Sequence, residues 1–262
     1  MNDLKSNRQA EQYDRIISDY DQHYYDEQSL SYRRRFILDP MVSGLDLNGM
    51  RVADLASGSG HTSLYLKQRF PDVAVEGFDI SPEAVRRYEA LTHAPGHVLD
   101  LTKPVQEAQR FDAAVIMGGL HHCVVDLPTT LANVTRMLVP GGKLMMFEPN
   151  ADYILEFARK LWYRADHYFD DKTERALSHR ELLSMGGGHF ACEKVKYFGG
   201  PAFFLVYNSL VFRLPRRAKQ IMSPPLMALE RAYDCLPGSW PFASFIARWT
   251  KISGRTHQAS NR

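Results

Sequence analysis

A run of small residues, Asp54-Leu55-Ala56-Ser57-Gly58-Ser59-Gly60, closes the apolar stretch Val52 to Leu55. Small side chains let the backbone turn sharply and bring its N–H groups against a ligand where a helix begins. Asp79 stands nineteen residues past Gly60, at the end of a second apolar run. A carboxylate there can accept both hydroxyls of a ribose. A glycine-rich turn alone is only a turn, but with Asp79 in register the two predict a nucleoside site. His121 and His122 are imidazoles that titrate near neutrality, so either is a candidate to take a proton from an acceptor. Adjacent histidines are poorly disposed to share one ion, and no further ligands recur beside them, so no metal is expected.

The surrounding pattern says what must position these residues. From Arg51 onward, short apolar runs alternate with helical periodicity. Strands are expected at 52–55, 73–80, 97–99, 111–117 and 143–148, with helices at 61–70, from Ser81-Pro82-Glu83, and over 127–138. Ser81 reads as an N-cap with proline in the first turn, where its missing N–H costs nothing. Nearly continuous apolar strands between amphipathic helices mean a parallel sheet covered on both faces. Ligands of such sheets bind beyond the carboxyl ends of the strands. The residues at and just past each strand's end are therefore the ones that matter, including Glu148 and Asn150, which end the fifth and are candidates to grip an acceptor.

Five stations in order over about 100 residues resemble the class I S-adenosylmethionine-dependent methyltransferases. Asp54 to Gly60 is similar to their first motif, an acid followed by spaced glycines. Asp79 is similar to their ribose-binding acid, and Asp100 to the acid near the adenine amino group. Phe111 to Met117 with Leu120-His121-His122 resembles their fourth strand and its loop, and Leu138 to Leu144, with Pro140-Gly141-Gly142, resembles the turn before their fifth. Ala56 stands where the first motif glycine usually sits, which predicts a slightly tighter pocket. The resemblance implies a Rossmann-like α/β/α sandwich with a mostly parallel sheet, an N-terminal helical lid (1–44), a cofactor-binding core (45–150) and a C-terminal extension (151–262). It implies S-adenosylmethionine as cofactor, held by Asp54, Ala56, Ser57, Gly58, Gly60, Asp79, Ile80, Asp100, Leu101 and Met117. His121 or His122 would then be the catalytic base. A lid would bring aromatic rings near a sulfonium, with Tyr24 and Tyr25 as candidates to line the acceptor site. One of Arg33 to Arg35 would pair with the methionine carboxylate.

Two competitors share part of this pattern. An NAD-dependent oxidoreductase needs Gly or Ala where Ser63 stands, and lacks the Pro-Gly-Gly turn. A non-catalytic protein that binds the nucleoside as a partner or sensor would not need the loop histidines. Gly118-Gly119-Leu120-His121-His122 also lacks the Asn/Asp-Pro-Pro-aromatic motif of enzymes that methylate DNA-base amino groups.

The three cysteines are far apart and form no ligand or disulfide pattern, and Met1 to Glu11 has no apolar run to act as a signal. A cytoplasmic protein is expected. Charge is uneven: nine basic residues against two acids from Arg213 onward give that tail +7 and leave the remainder at −5. The C-terminal third should choose the acceptor. An aromatic-rich helix is expected from Ile154 to Tyr163, a capping box at Ser178 to Glu181 and a strand from Phe190 to Phe198. Phe203 to Phe212 is expected to be the last, antiparallel strand. Leu226, Leu229, Tyr233 and Leu236 share one helical face, and Phe242, Phe245, Ile246 and Trp249 another. Beside Arg216, Arg217, Lys219, Arg248 and Lys251, these faces suggest peripheral contact with an anionic membrane. The acceptor is then a lipid-like or lipid-linked small molecule; if the faces only pack, it is a soluble metabolite. No aromatic stacking platform accompanies the basic residues, so nucleic acid is not expected.

Overall fold

The computed structural model describes residues 26–105, 111–157, 175–186, 188–208 and 214–252. Tyr24, Tyr25 and most of the helix expected from Ile154 lie outside them. The described chain opens with α1 (Glu27–Tyr32), a π-helical stretch (Arg33–Leu38) and α2 (Asp39–Val42). The core follows as β1 (Arg51–Leu55), α3 (His61–Arg69), β2 (Ala74–Asp79), α4 (Pro82–Thr92), β3 (Gly96–Val98), β4 (Phe111–Met117), α5 (Leu127–Met137) and β5 (Leu138–Pro149). After it come α6 (His179–Met185), β6 (Phe190–Phe198), a π-helical turn (Phe203–Tyr207), α7 (Arg216–Tyr233) and β7 (Ser244–Lys251).

The strands form one sheet in the order β3-β2-β1-β4-β5-β7-β6. The first five are parallel, and β7 is inserted antiparallel between β5 and β6. Successive residues of a strand point to opposite faces, and here they sort into two apolar clusters. Val52, Val75, Val115, Met145, Phe147 and Ile246 meet the N-terminal helices, α3 and the 198–207 segment. Ala53, Leu55, Ile116, Leu144, Met146, Phe245 and Trp249 meet α5 and α6. Both faces are covered, so the molecule is the three-layer α/β/α sandwich expected from sequence. The caps follow from residue type as well. Asp126 accepts from the Thr129 N–H and Ser81 from the Ala84 N–H, each with proline in the first helical turn.

The C-terminal third corrects two expectations. Among the described residues the last strand is Ser244–Lys251, where the spacing predicts a helical face, and Phe203–Tyr207 is π-helical rather than a strand. β7 lies between β5 and β6 with Phe245, Ile246 and Ala247 all buried in succession, so the alternation is lost and, with Phe242 and Trp249, the apolar spacing mimics a helix. Ser178 precedes α6 as expected but makes no side-chain capping bond.

Candidate functional site

At the carboxyl edge, β1 passes into a loop whose backbone is left-handed three times in five residues: Ala56 (φ 52°), Gly58 (φ 52°) and Gly60 (φ 88°). Only glycine enters this region freely, so Ala56 holds it under strain. Gly60 is needed for contact too, since a Cβ there would lie 2.7 Å from Thr92 and 2.8 Å from Tyr88. Asp79 ties the loop to the next helix: its Oδ2 accepts from the Gly58 N–H and its Oδ1 from the Ser81 N–H, both at 2.9 Å. Burial raises its carboxyl above the ordinary range, against those donors.

Asp54 is buried beneath the loop. Its Oδ2 accepts from the Ser63 N–H (3.2 Å) and hydroxyl (2.7 Å), while Oδ1 is buried with no hydrogen-bond partner among the described residues. The Ser57 hydroxyl oxygen is in the same position. Burial lifts the Asp54 carboxyl to about 7, with the Ser63 bonds and the Arg33 charge pulling the other way. Arg33 reaches in from the π-helical stretch, is itself buried, and donates to the Thr62 hydroxyl at 2.6 Å. Burial and that charge hold the neighbouring His61 near 4, so it is neutral. Buried polar atoms ordinarily find partners. An unpaired carboxylate oxygen and an unpaired hydroxyl beside a buried guanidinium therefore fit a zwitterionic ligand, such as the amino-acid end of S-adenosylmethionine.

The other expected cofactor residues follow along the same edge. Asp100 sits in its own turn, accepting from the Thr102 N–H (2.9 Å) and hydroxyl (2.6 Å) and facing Lys103 at 3.4 Å. The Leu99 N–H donates to the Asp79 carbonyl at 2.8 Å, which places this station beside the second strand. Leu101 is buried, while Ile80 and Met117 are half-buried.

The loop after β4 is organised by Glu148. Its fully buried carboxylate accepts from the N–H groups of Gly119 (3.1 Å), Leu120 (2.7 Å) and His121 (3.2 Å). Its Oε2 also lies 2.9 Å from Nδ1 of His121. Burial raises this carboxyl to about 8 despite the donors. Glu148 thereby holds both the backbone and the ring of His121. The His122 ring lies over His121 with centroids 4.0 Å apart. Gly119 adjoins the first loop so closely that a Cβ there would stand 2.6 Å from the Ala56 Cβ.

Two sequence expectations change in this light. Glu148 and Asn150 are both fully buried and do not present free polar groups to an acceptor. Asn150 donates from Nδ2 to the Ser239 and Phe242 carbonyls, each at 2.9 Å, and accepts from the Asp152 N–H. It joins the end of β5 to the segment entering β7. Sequence reasoning also missed the use of Ser63, which carries the bonds that fix Asp54. Its signal was its place in the first turn of α3, nine residues after the acid.

A family model described as a methyltransferase domain matches residues 52–142. Demethylmenaquinone methyltransferase of Thermus thermophilus is 33% identical over 125 residues, covering 45% of this chain and 54% of that protein. The chain thus spans about half the length of the curated relative it matches. Among solved structures, the [4+2]-cyclase SpnF superimposes with a TM-score of 0.63 at 15% identity, over 95% of this chain and 97% of SpnF. The N-methyltransferase NodS of Bradyrhizobium japonicum, solved with S-adenosyl-L-homocysteine, gives 0.55 at 12%, over 91% and 99%. These structural likenesses establish the fold, and the family model identifies residues 52–142 as a methyltransferase domain.

Proposed function

We propose that this chain transfers a methyl group in line from S-adenosylmethionine to a small apolar acceptor, lipid-like or lipid-linked, with His121 as the base. The observation that carries the cofactor part is the group of Asp54 Oδ1, the Ser57 hydroxyl and the Arg33 guanidinium, buried together under a left-handed loop. Arg33 would hold the ligand's carboxylate, Asp54 its ammonium end and Asp79 its ribose, with Asp100 and Leu101 at the base. The cofactor supplies a methyl group on a positively charged sulfur that leaves as a neutral thioether. The chain's task is then to align an acceptor and remove its proton. Glu148 fixes both the His121 backbone and, through Nδ1, its ring, and Nε2 is the nitrogen we assign to the acceptor. Gly119 brings that loop against Ala56, beside the cofactor loop.

The apolar acceptor is supported by the relative named for demethylmenaquinone and by exposed Ile154, Leu155, Phe157 and Trp240 near the ends of β5 and β7. The test is incubation with methyl-labelled S-adenosylmethionine and cell extract, followed by partition between organic and aqueous phases. Label in the organic phase is expected. Label confined to the aqueous phase overturns the apolar acceptor, and a protein that binds the cofactor but labels nothing overturns the catalytic reading.

A further inference from the structure

Apart from Met227 and Leu226, the aliphatic residues of α7 are left outside the core. A surface helix ordinarily turns its apolar stripe inward and its charges outward. Here the buried positions are Lys219, Ser223, Met227 and Glu230. Lys219 donates to the Asp26 carboxylate and to the Ser29 hydroxyl. Glu230 accepts from the Tyr32 hydroxyl (2.6 Å) and from the N–H groups of Gly200 and Ala202 (2.9 and 2.8 Å). Ile221 is 78% exposed and Leu229 51%, with Met222, Pro224, Pro225, Ala228 and Ala232 also exposed. The stripe continues past the helix through Leu236 to Trp240, whose carbonyl accepts the Ile154 N–H at 2.9 Å. That bond joins it to the exposed rim of Ile154, Leu155 and Phe157.

We propose that this surface, the outward face of α7 with the Trp240 turn and the 154–157 rim, docks on an anionic lipid surface. The reading deepens the apolar acceptor proposed above and rests on it for its purpose, because the rim follows the end of β5 at the carboxyl edge where an acceptor must enter. The choice of occupant follows from charge. Arg216, Arg217 and Arg231 are exposed along the helix, whereas both of its neighbouring acids are engaged: Glu230 is buried, and Asp234 pairs with Lys196 at 2.6 Å. Aliphatic residues flanked by arginines, with a tryptophan at one end, match a bilayer interface, where the side chains sink among acyl chains and the guanidinium groups meet phosphates. A second copy would set arginine against arginine in a symmetric contact, a like-charge arrangement that opposes association. Among the described residues no helix is long and apolar enough to cross a membrane, so the contact is with the surface.

The test is sedimentation of the full chain with vesicles of phosphatidylcholine alone and of phosphatidylcholine mixed with phosphatidylglycerol. Binding is expected to the mixed vesicles, weakened by salt, with little to the neutral ones. The double variant Ile221→Asp with Leu229→Asp loses at least about tenfold in vesicle partition, given what burying two such side chains contributes. Its melting temperature and its calorimetric binding of S-adenosylhomocysteine stay unchanged, because neither residue packs in the core. Arg217→Glu with Arg231→Glu removes the preference for the anionic lipid. The proposal is overturned if the intact protein stays in the supernatant, if the aspartate variant sediments like the parent, or if sizing shows a dimer that Ile221→Asp dissociates. Failure of docking with label still entering the organic phase removes this inference alone. Docking with label confined to the aqueous phase removes the apolar acceptor instead.

Discussion

Ala56 holds a backbone angle that costs a residue with a Cβ about 1–2 kcal/mol, and its methyl group also limits what can stand opposite. Glycine at 56 would relieve that strain while adding about 0.5–1 kcal/mol of chain entropy to be lost on folding. Ala56→Gly is therefore expected to stabilise modestly, by about 0.5–1 kcal/mol. Gly119→Ala is expected to cost about 2 kcal/mol or more, as overpacking does, because its new Cβ meets the Ala56 Cβ at 2.6 Å and Ile116 at 2.9 Å. In the Ala56→Gly background that cost should shrink. Urea denaturation of the two single variants and the double variant measures the coupling, and strictly additive costs would show that the loops do not press on each other. At the neighbouring residue, His121→Ala is expected to lower kcat about a hundredfold or more while leaving calorimetric cofactor binding intact. A fall of less than about threefold would assign the proton to another group, since base catalysis ordinarily contributes far more.

α7 has charged residues on its inner side, and those residues connect it to the start of the described chain. Breaking one partner of a buried pair leaves the other uncompensated. Lys219→Met leaves the Asp26 carboxylate without its cation and is expected to cost about 3 kcal/mol. Amide exchange at Ser29 and Tyr32 should accelerate while that of Val115 in β4 stays slow. Equal acceleration in both places would mean the variant loosens the whole molecule rather than α1. This arrangement was not legible in the sequence, where Leu226, Leu229, Tyr233 and Leu236 marked a helical face by spacing. Spacing identifies a helix but cannot say which side the fold uses, and here Leu229 faces out while Lys219 and Glu230 face in. β7 went unread for a related reason. Phe245, Ala247 and Trp249 face one layer and Ile246 the other, so the period-2 signal is filled in and Phe242, Phe245, Ile246 and Trp249 fall at helical spacing by coincidence. The first five strands were legible because each ends in a turn signal and most are continuous apolar runs.

At the scale of the molecule, several carboxyls of the described residues are buried and raised by that burial. Asp54 is raised to about 7 and Glu148 to about 8, with Asp79 and Glu230 also raised, in each case mainly by burial. A carboxyl with a higher pKa folded than unfolded binds more protons in the folded state, so stability falls as pH rises between the two values. That contribution is fully present below about pH 4 and is lost as pH climbs through 7 and 8. The ligand-free protein is thus expected to lose melting temperature steadily from pH 5 to pH 8, other groups held constant. Asp54→Asn, which keeps an acceptor for Ser63, should flatten the decline; an unchanged slope would place the linked protons elsewhere. The site was legible in sequence to the extent that it lies at strand ends. Asp54, Gly58, Gly60, Asp79 and the His121 loop all fall where the parallel sheet delivers them. Glu148 was found by position but misread in use, because a carboxylate that accepts three backbone N–H groups is recognisable only once the loop it holds is seen.

The bonds from Lys219 and Glu230 to Asp26, Ser29 and Tyr32 also set an order of events during synthesis. Tyr32 immediately precedes Arg33, the residue that reaches Thr62 beside Asp54. Its anchors lie almost two hundred residues downstream. While the ribosome is still making the middle of the chain, the glycine loop and the Arg33–Thr62 bond can form, but the segment before Arg33 lacks the bonds that α7 gives it. Those braces on the candidate cofactor site form only after α7 has been made, so a chain stopped before it holds the first strands and helices with that side of the site less firmly held.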